Sequence, residues 1–305
     1  MLNFYVDLAS GSDSAAGTPG SPWRTLEKAS AHLDSLQPEE EVTVWLPECD
    51  VVVNQSIVWR YSNPDFMTHV RGPGSTVARL NGNGLANDLL KIMPTRRGEP
   101  SNLRFAGFRV SNSLNGIVVA GDRNDEANGW VGNVELRGIY VDRIGSKYAS
   151  GEYGAGAFRM VNVRNSKIWK SQAHRLENNG SYGGHIHAAY LAHHSCGNLI
   201  EENRFTYCGG DPIRTRDRSN ENIIRLNEFT RCGDTAIYSD WFCEGSTCTK
   251  PGGECPSWGN QFRDNSASNV GYSGSTVPLF AYFGADNHCG ATPLPRLRTS
   301  GNTRF

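Results

Sequence analysis

Between residues 209 and 241 the chain reads GGDPIRTRDRSNENIIRLNEFTRCGDTAIYSDW, which gathers Asp211, Arg214, Arg216, Asp217, Tyr238, Asp240 and Trp241 around short apolar runs. Just upstream, HIHAAYLAHH contributes His185, His187, Tyr190, His193 and His194. Rigid guanidinium forks suit carboxylates, and flat aromatic faces suit sugar rings. A line of Tyr, Arg, Asp and His with aromatic neighbours is therefore what a groove for an acidic polysaccharide requires. Other readings stand beside it: an ion-pair ladder on a plain surface, a turn cap at Asp211 before Pro212, or a metal site among the histidines. No acidic partner is fixed by spacing for a metal site.

The elements that position these residues follow from a repeat. Set with an offset of 24, the segment from Tyr190 and the segment from Arg214 match Ser195 with Ser219, Asn198 with Asn222, Ile200 with Ile224, Asn203 with Asn227, Phe205 with Phe229 and Cys208 with Cys232. A period in the twenties, with alternating apolar residues and Asn at turns, marks stacked coils that bury a face only against their neighbours. Looser copies cover 101–121, 132–146, 158–172 and 258–274, and their alternation reads as strands. Asn203 and Asn227 are expected to stack at turns. Alternation places Ile213 and Thr215 inside and Arg214 and Arg216 outside, and the constant offset extends this to strands at 189–192, 213–216 and 237–240. Tyr190, Arg214 and Tyr238 then form one surface ladder and Ala192, Arg216 and Asp240 another. His187, Asp211 and Thr235 stack at the turn before the strand, and His193, Asp217 and Trp241 at the turn after it. Arg159, Arg164 and Arg175 in preceding coils extend the positive field, which favours a uronic-acid polymer.

The open end of a solenoid needs a cap. A strand at 4–6 and a helix from about Thr25 to Leu33, capped by Thr25 and apolar at Leu26, Ala29 and Leu33, supply one. The loop between them, GSDSAAGTPG, lacks the motifs of a phosphate-binding loop. One elongated domain over 1–305 is expected: cap 1–40, coils 41–280, and loops with a C-terminal cap over 243–305. Cys243, Cys248, Cys255 and Cys289 lie among Gly and Pro without paired CxxC spacing, so at least one disulfide is expected there, and with it an oxidising compartment. Cys49, Cys196, Cys208 and Cys232 read as buried or half-buried thiols. A formal net charge of -1 gives no nucleic-acid footprint. No apolar run reaches the roughly 18 residues of a membrane span, and the first residues do not read as a signal peptide. A secreted or extracytoplasmic monomer is expected.

The opening YVD, GSD, GT and PWRTL elements, together with the Asn-x-Phe coils, resemble the right-handed parallel β-helix proteins of the pectate-lyase-like superfamily. The resemblance runs over nearly the whole chain and implies an all-β, right-handed, single-stranded parallel β-helix with an N-terminal helical cap. That fold carries lyases, hydrolases, epimerases, tailspikes and adhesins, so it does not choose a chemistry. For a polysaccharide lyase, the family implies His187 or Arg214 as base for the C5 proton, Tyr190 or Tyr238 as acid for the departing oxygen, and Arg216 as carboxylate clamp. Asp217, His193, Trp241 and Arg159 would line the substrate. An arginine base is handicapped by a pKa above about 12, which ranks His187 with a tyrosine first. Calcium is the cofactor the family suggests, but a WIDH-like motif is absent and the metal ligands stay unassigned. Hydrolysis is the alternative and needs two carboxylates about 5 to 9.5 Å apart, for which Asp211 and Asp240 are the candidates with Asp217 in reserve. The DD, GHG and RIK motifs of polygalacturonase-like hydrolases are missing. A non-catalytic sugar-binding or adhesin module is the third reading.

Overall fold

The computed structural model describes residues 1–73, 78–244, 248, 253–284, 289–290 and 295–305. Three parallel sheets run along the coil stack, with eleven, eight and nine strands among the described residues, and the coils from Val42 to Tyr282 contribute to all three. Alternation sets the burial: along Ile213–Arg216 the first and third side chains are buried and the second and fourth half-exposed. Phe205, Phe229 and Phe262 stack down the interior at 5.6 and 5.9 Å between ring centroids, and all three are fully buried.

The expected asparagine ladder is present at the corner between the eleven- and nine-stranded sheets. Asn203 donates from its backbone and side-chain nitrogens to Asn227 Oδ1, both at 3.0 Å, and Asn227 does the same to Asn265 Oδ1. Asn265 continues the ladder to Asn302. Each buried amide satisfies backbone groups that a sharp corner would otherwise leave unpaired.

The offset of 24 holds where Tyr190 pairs with Arg214, Phe205 with Phe229 and Cys208 with Cys232. It fails one strand later. Ile213 pairs with Tyr238, Arg214 with Ser239, Thr215 with Asp240 and Arg216 with Trp241, because one extra residue lies between Cys232 and the strand Tyr238–Trp241. A one-residue shift exchanges the faces of a strand. Tyr238 and Asp240 therefore point inward, at 0% and 1% exposure, whereas Ser239 and Trp241 face outward. The expected surface positions of Tyr238 and Asp240 are corrected accordingly.

At the first coil, Leu2–Tyr5 pairs in parallel with Val42–Trp45. The helix Leu26–Leu36 begins at Thr25, whose Oγ1 accepts from Lys28 N at 3.0 Å, and it buries Leu26, Ala29 and Leu33 as its periodicity requires. At the other end a disulfide joins Cys255 and Cys289, which bears out the expected cross-link and marks an oxidising environment. Residues 245–247 and 249–252 of the Gly/Pro-rich stretch lie outside the described residues. Cys208 and Cys232 are buried and Cys49 and Cys196 half-buried thiols, as expected. No helix among the described residues is long and apolar enough to cross a membrane.

Candidate active-site groove

The eight-stranded sheet carries the groove. Its outward ladder runs Lys91, Val118, Arg159, Tyr190, Arg214 and Ser239 across successive coils. At the strand starts, Asn115 pairs with Asp88 and Gly156 with His187. A cavity of about 480 Å³ opens over these strands, lined by His187, Tyr190, Arg159, Arg214, Arg216 and Trp241, with Asn87, Asp88, Asn115, Tyr153, Ala155 and His185 beyond them. At Gly156 an added Cβ would stand 3.0 Å from the His187 carbonyl oxygen, so a side chain there would press on the strand that carries His187.

His187 is 4% exposed, and its Nδ1 lies 2.7 Å from the Asp211 carbonyl oxygen. A carbonyl only accepts, so Nδ1 carries the proton and Nε2 holds the lone pair. Burial, reinforced by the Arg214 guanidinium, pulls the imidazole down to about 3, so it is uncharged near neutrality. The Tyr190 ring lies 5.2 Å from that of His187, and its hydroxyl accepts from Arg216 Nη1 at 3.2 Å.

The arginines differ in what they can offer. Arg214 donates to Ser239 Oγ at 2.7 Å and to Asp211 Oδ2 at 3.0 Å, so it is an anchored cation and not a base. Arg216 spends its fork on Glu254, at 2.7 and 2.8 Å, and stacks over Trp241 at 4.3 Å. The expected carboxylate clamp at Arg216 is thus already occupied by a protein carboxylate. Arg159 lines the groove, no hydrogen bond or ion pair to it exists among the described residues, and its Nε is buried without a partner. It is the groove cation left for a ligand. Of the other expected arginines, Arg164 stacks over Trp130 and Arg175 lies in the nine-stranded sheet beside His174, both away from this cavity.

The carboxylates expected to hydrolyse are not presented to the groove. Asp211, 1% exposed, accepts at Oδ1 from the N–H groups of Thr235 and Ala236, both at 2.8 Å, and at Oδ2 from Arg214. Burial pushes its carboxyl up, but Arg214 and these backbone donors prevail and hold it below the usual range. It is a charged turn cap that orients both Arg214 and His187. Asp240 lies inside the coil against Thr215, Ser257 N and Arg296, and burial raises its carboxyl. Asp217 and His193 are buried behind the groove, paired at 3.2 Å, and so do not line the cavity as substrate residues. Tyr238 hydrogen-bonds Thr215 and Asn260 in the interior. Among the lining residues Asp88 is the one carboxylate, and it is tied to Lys91 at 2.8 Å and to Asn115.

His193, Asp217 and Glu254 bring three ligand-type atoms within 4.8 Å of one another, a spacing at which a divalent cation can be chelated. Their existing partners argue against calcium. Arg216 and Arg123 face Glu254, and Arg218 binds Asp217 at 2.8 Å, so three guanidiniums already surround two carboxylates. Calcium prefers six to eight oxygens, and here one donor is an imidazole nitrogen. The cluster fits a buried charge knot better than a calcium cage.

Comparison with family models and with curated proteins finds no match. Among solved structures the chain is similar over its full length to a rhamnogalacturonan lyase, at 14% identity, 74% coverage of that chain and a TM-score of 0.67. It is also similar to an alginate lyase from Paenibacillus sp. str. FPU-7, at 12% identity over 98% of this chain and 95% of that one, with a TM-score of 0.50. A third likeness is to a tailspike protein mutant of E. coli bacteriophage HK620 in complex with a pentasaccharide, at 12% identity over 99% of this chain and 57% of that one, with a TM-score of 0.51. The likeness is one of fold.

Sequence reasoning missed Asn87, Asp88, Asn115, Tyr153 and Ala155. They lie in coils of other lengths: Asn115 and Asp88 are 27 residues apart, and His187 follows Gly156 by 31. No constant offset could align them. His185 stood in a motif already noted, but its place in the groove wall depends on the turn 180–185.

Proposed function

We propose that the chain is a secreted enzyme acting on an acidic polysaccharide, and that it cleaves by β-elimination. The observation that carries this reading is the neutral His187, with its Nε2 lone pair free, beside Tyr190 and the unpartnered Arg159 in one cleft. In the proposed step His187 Nε2 removes the C5 proton of a uronate, the C4=C5 bond forms as the C4–O4 bond breaks, and the Tyr190 hydroxyl gives its proton to O4. Arg159 binds the uronate carboxylate and stabilises the charge that builds there when C5 loses its proton. Arg216, hydrogen-bonded to the Tyr190 hydroxyl, stabilises the phenolate left behind. A base held so low is weak in the free protein. The incoming carboxylate offsets the guanidinium field that contributes to this, so substrate binding itself strengthens the base.

Hydrolysis is the second reading, supported by Asp88 as a carboxylate on the groove wall, although no second carboxylate lines the cavity among the described residues. The two separate in one experiment. A panel of uronate-containing polysaccharides is incubated with the protein and followed at 235 nm and by reducing ends, with and without EDTA. Elimination gives both signals, unaffected by EDTA. His187→Ala and Tyr190→Phe should lower kcat by roughly 10² to 10⁴, and Arg159→Ala should both raise KM by about tenfold or more, the worth of a charge-assisted bond, and lower kcat, since it also stabilises the developing charge. Reducing ends without absorbance, abolished by Asp88→Asn, would replace the lyase with a hydrolase.

A further inference from the structure

The groove has two chemically different zones. One holds Arg159, Arg214 and Arg216 around Tyr190. The other, toward the strand starts and the earlier coils, holds Asn87, Asn115, the neutralised Asp88–Lys91 pair and Tyr153. Tyr153, on the cavity wall, is 43% exposed. Its ring stacks on that of Tyr182 at 5.0 Å with an interplanar angle of 17°, and His185 meets both rings edge-on.

This wall is fixed from two sides. Asn178 Oδ1 accepts from Ser146 N and Gly154 N, at 2.9 and 2.8 Å, while its Nδ2 donates to the carbonyls of Gly154 and Tyr182. One side chain thus pins the chain next to Tyr153 to the turn that carries Tyr182. From the groove floor, Asn115 Oδ1 accepts from Ala155 N and Gly156 N, at 2.7 and 3.2 Å. Tyr182 is held in turn by a hydrogen bond to Glu152. An aromatic face held partly in water by a wall that six such hydrogen bonds fix loses little freedom when a ligand covers it.

We propose that Tyr153 is the platform of a subsite for an uncharged sugar ring, with the exposed amide of Asn87 facing its hydroxyls. The cationic zone beside it takes a uronate. The two zones adjoin, because Tyr153 lies three residues before the strand Gly156–Val161 that carries Arg159. The substrate class is then a heteropolymer in which uronates neighbour neutral sugars, not a run of uronates. This deepens the proposed polysaccharide function and rests on the groove being its binding site.

The test reads binding, so that it stands apart from cleavage. Mobility of the full chain is measured in native gels containing polygalacturonate, which is uronate only, or one of two alternating polymers, rhamnogalacturonan backbone and hyaluronan. At least one alternating polymer should be bound about tenfold more tightly than polygalacturonate. Tyr153→Ala should weaken that affinity about tenfold, in line with the loss of a stacked aromatic face, and leave the polygalacturonate affinity within twofold. Tyr153→Phe, which keeps the ring, should bind like the parent. Tyr207→Ala, an exposed tyrosine of the nine-stranded sheet, serves as the control. Equal affinity for homopolymer and alternating polymers, no effect of Tyr153→Ala, or no retardation by any of the three would overturn the proposal. Failure of the lyase reading would show instead as binding without any rise at 235 nm.

Discussion

In the proposed elimination His187 is the base, and its tautomer is set by a backbone carbonyl and its charge by burial. The sign of its pH dependence follows. An unfolded histidine takes up a proton near 6.5, whereas the buried one resists until about 3. Between those values the unfolded chain binds more protons, so this residue lowers stability as pH falls through the window and contributes nothing to that loss above it. For activity the consequence is different: the base form is present throughout. The acid limb of kcat/KM, which reports the free protein, should therefore lie below about pH 5 and not near 6.5. A profile on the best polymer from pH 4 to 8 with an inflection at 6.5 that vanishes in His187→Ala would mean that the imidazole is not held neutral as its surroundings imply.

At the level of single elements, the corner amides and the strand registers show what could be read from the sequence. The repeat from Tyr190 to Cys232 aligned Asn, Ile, Phe and Cys at once, and each aligned pair is stacked in the structure. A buried ladder tolerates few alternatives, so its residues recur visibly. Asn227 shows how strongly the ladder holds: its side chain serves Asn203 above, Asn265 below and the Ile200 carbonyl. Asn227→Ala should cost about 3 kcal/mol, since several buried polar groups lose partners. A melt followed by circular dichroism should fall by several degrees, with kcat within twofold because this corner lies off the groove sheet. A melting temperature unchanged within a degree would deny the ladder this role. The site was less legible, for two physical reasons. Outward residues are not locked into a shared interior as the corner amides are, so they need not repeat from coil to coil. The single residue inserted before Tyr238 also exchanged the faces of that strand without disturbing the Phe and Cys alignment, which is why the constant offset puts Tyr238 and Asp240 outside.

Across the whole molecule, the C-terminal loops reach back to Tyr190, the proposed acid. Cys255 is bonded to Cys289, and its neighbour Glu254 holds the Arg216 fork, whose remaining nitrogen donates to Tyr190. Glu254 also accepts from Cys243 N, so two points on the C-terminal loops set its position. By the loop-closure argument a bridge spanning 34 residues constrains the unfolded chain by roughly 4 kcal/mol. Reduction should therefore lower the melting temperature. It should also lower kcat more than it raises KM, because Arg216 would lose the partner that holds it against Tyr190 while Arg159 stays in place. The Cys255→Ser, Cys289→Ser double variant should reproduce both effects without reductant. Glu254→Gln, with the bridge intact, should reproduce the fall in kcat with a smaller change in melting. Kinetics of the three proteins with and without dithiothreitol decide the matter. If reduction shifts the melt but leaves kcat untouched, the bridge only fastens the loops, and the path from Cys255 through Glu254 and Arg216 to Tyr190 has no catalytic weight.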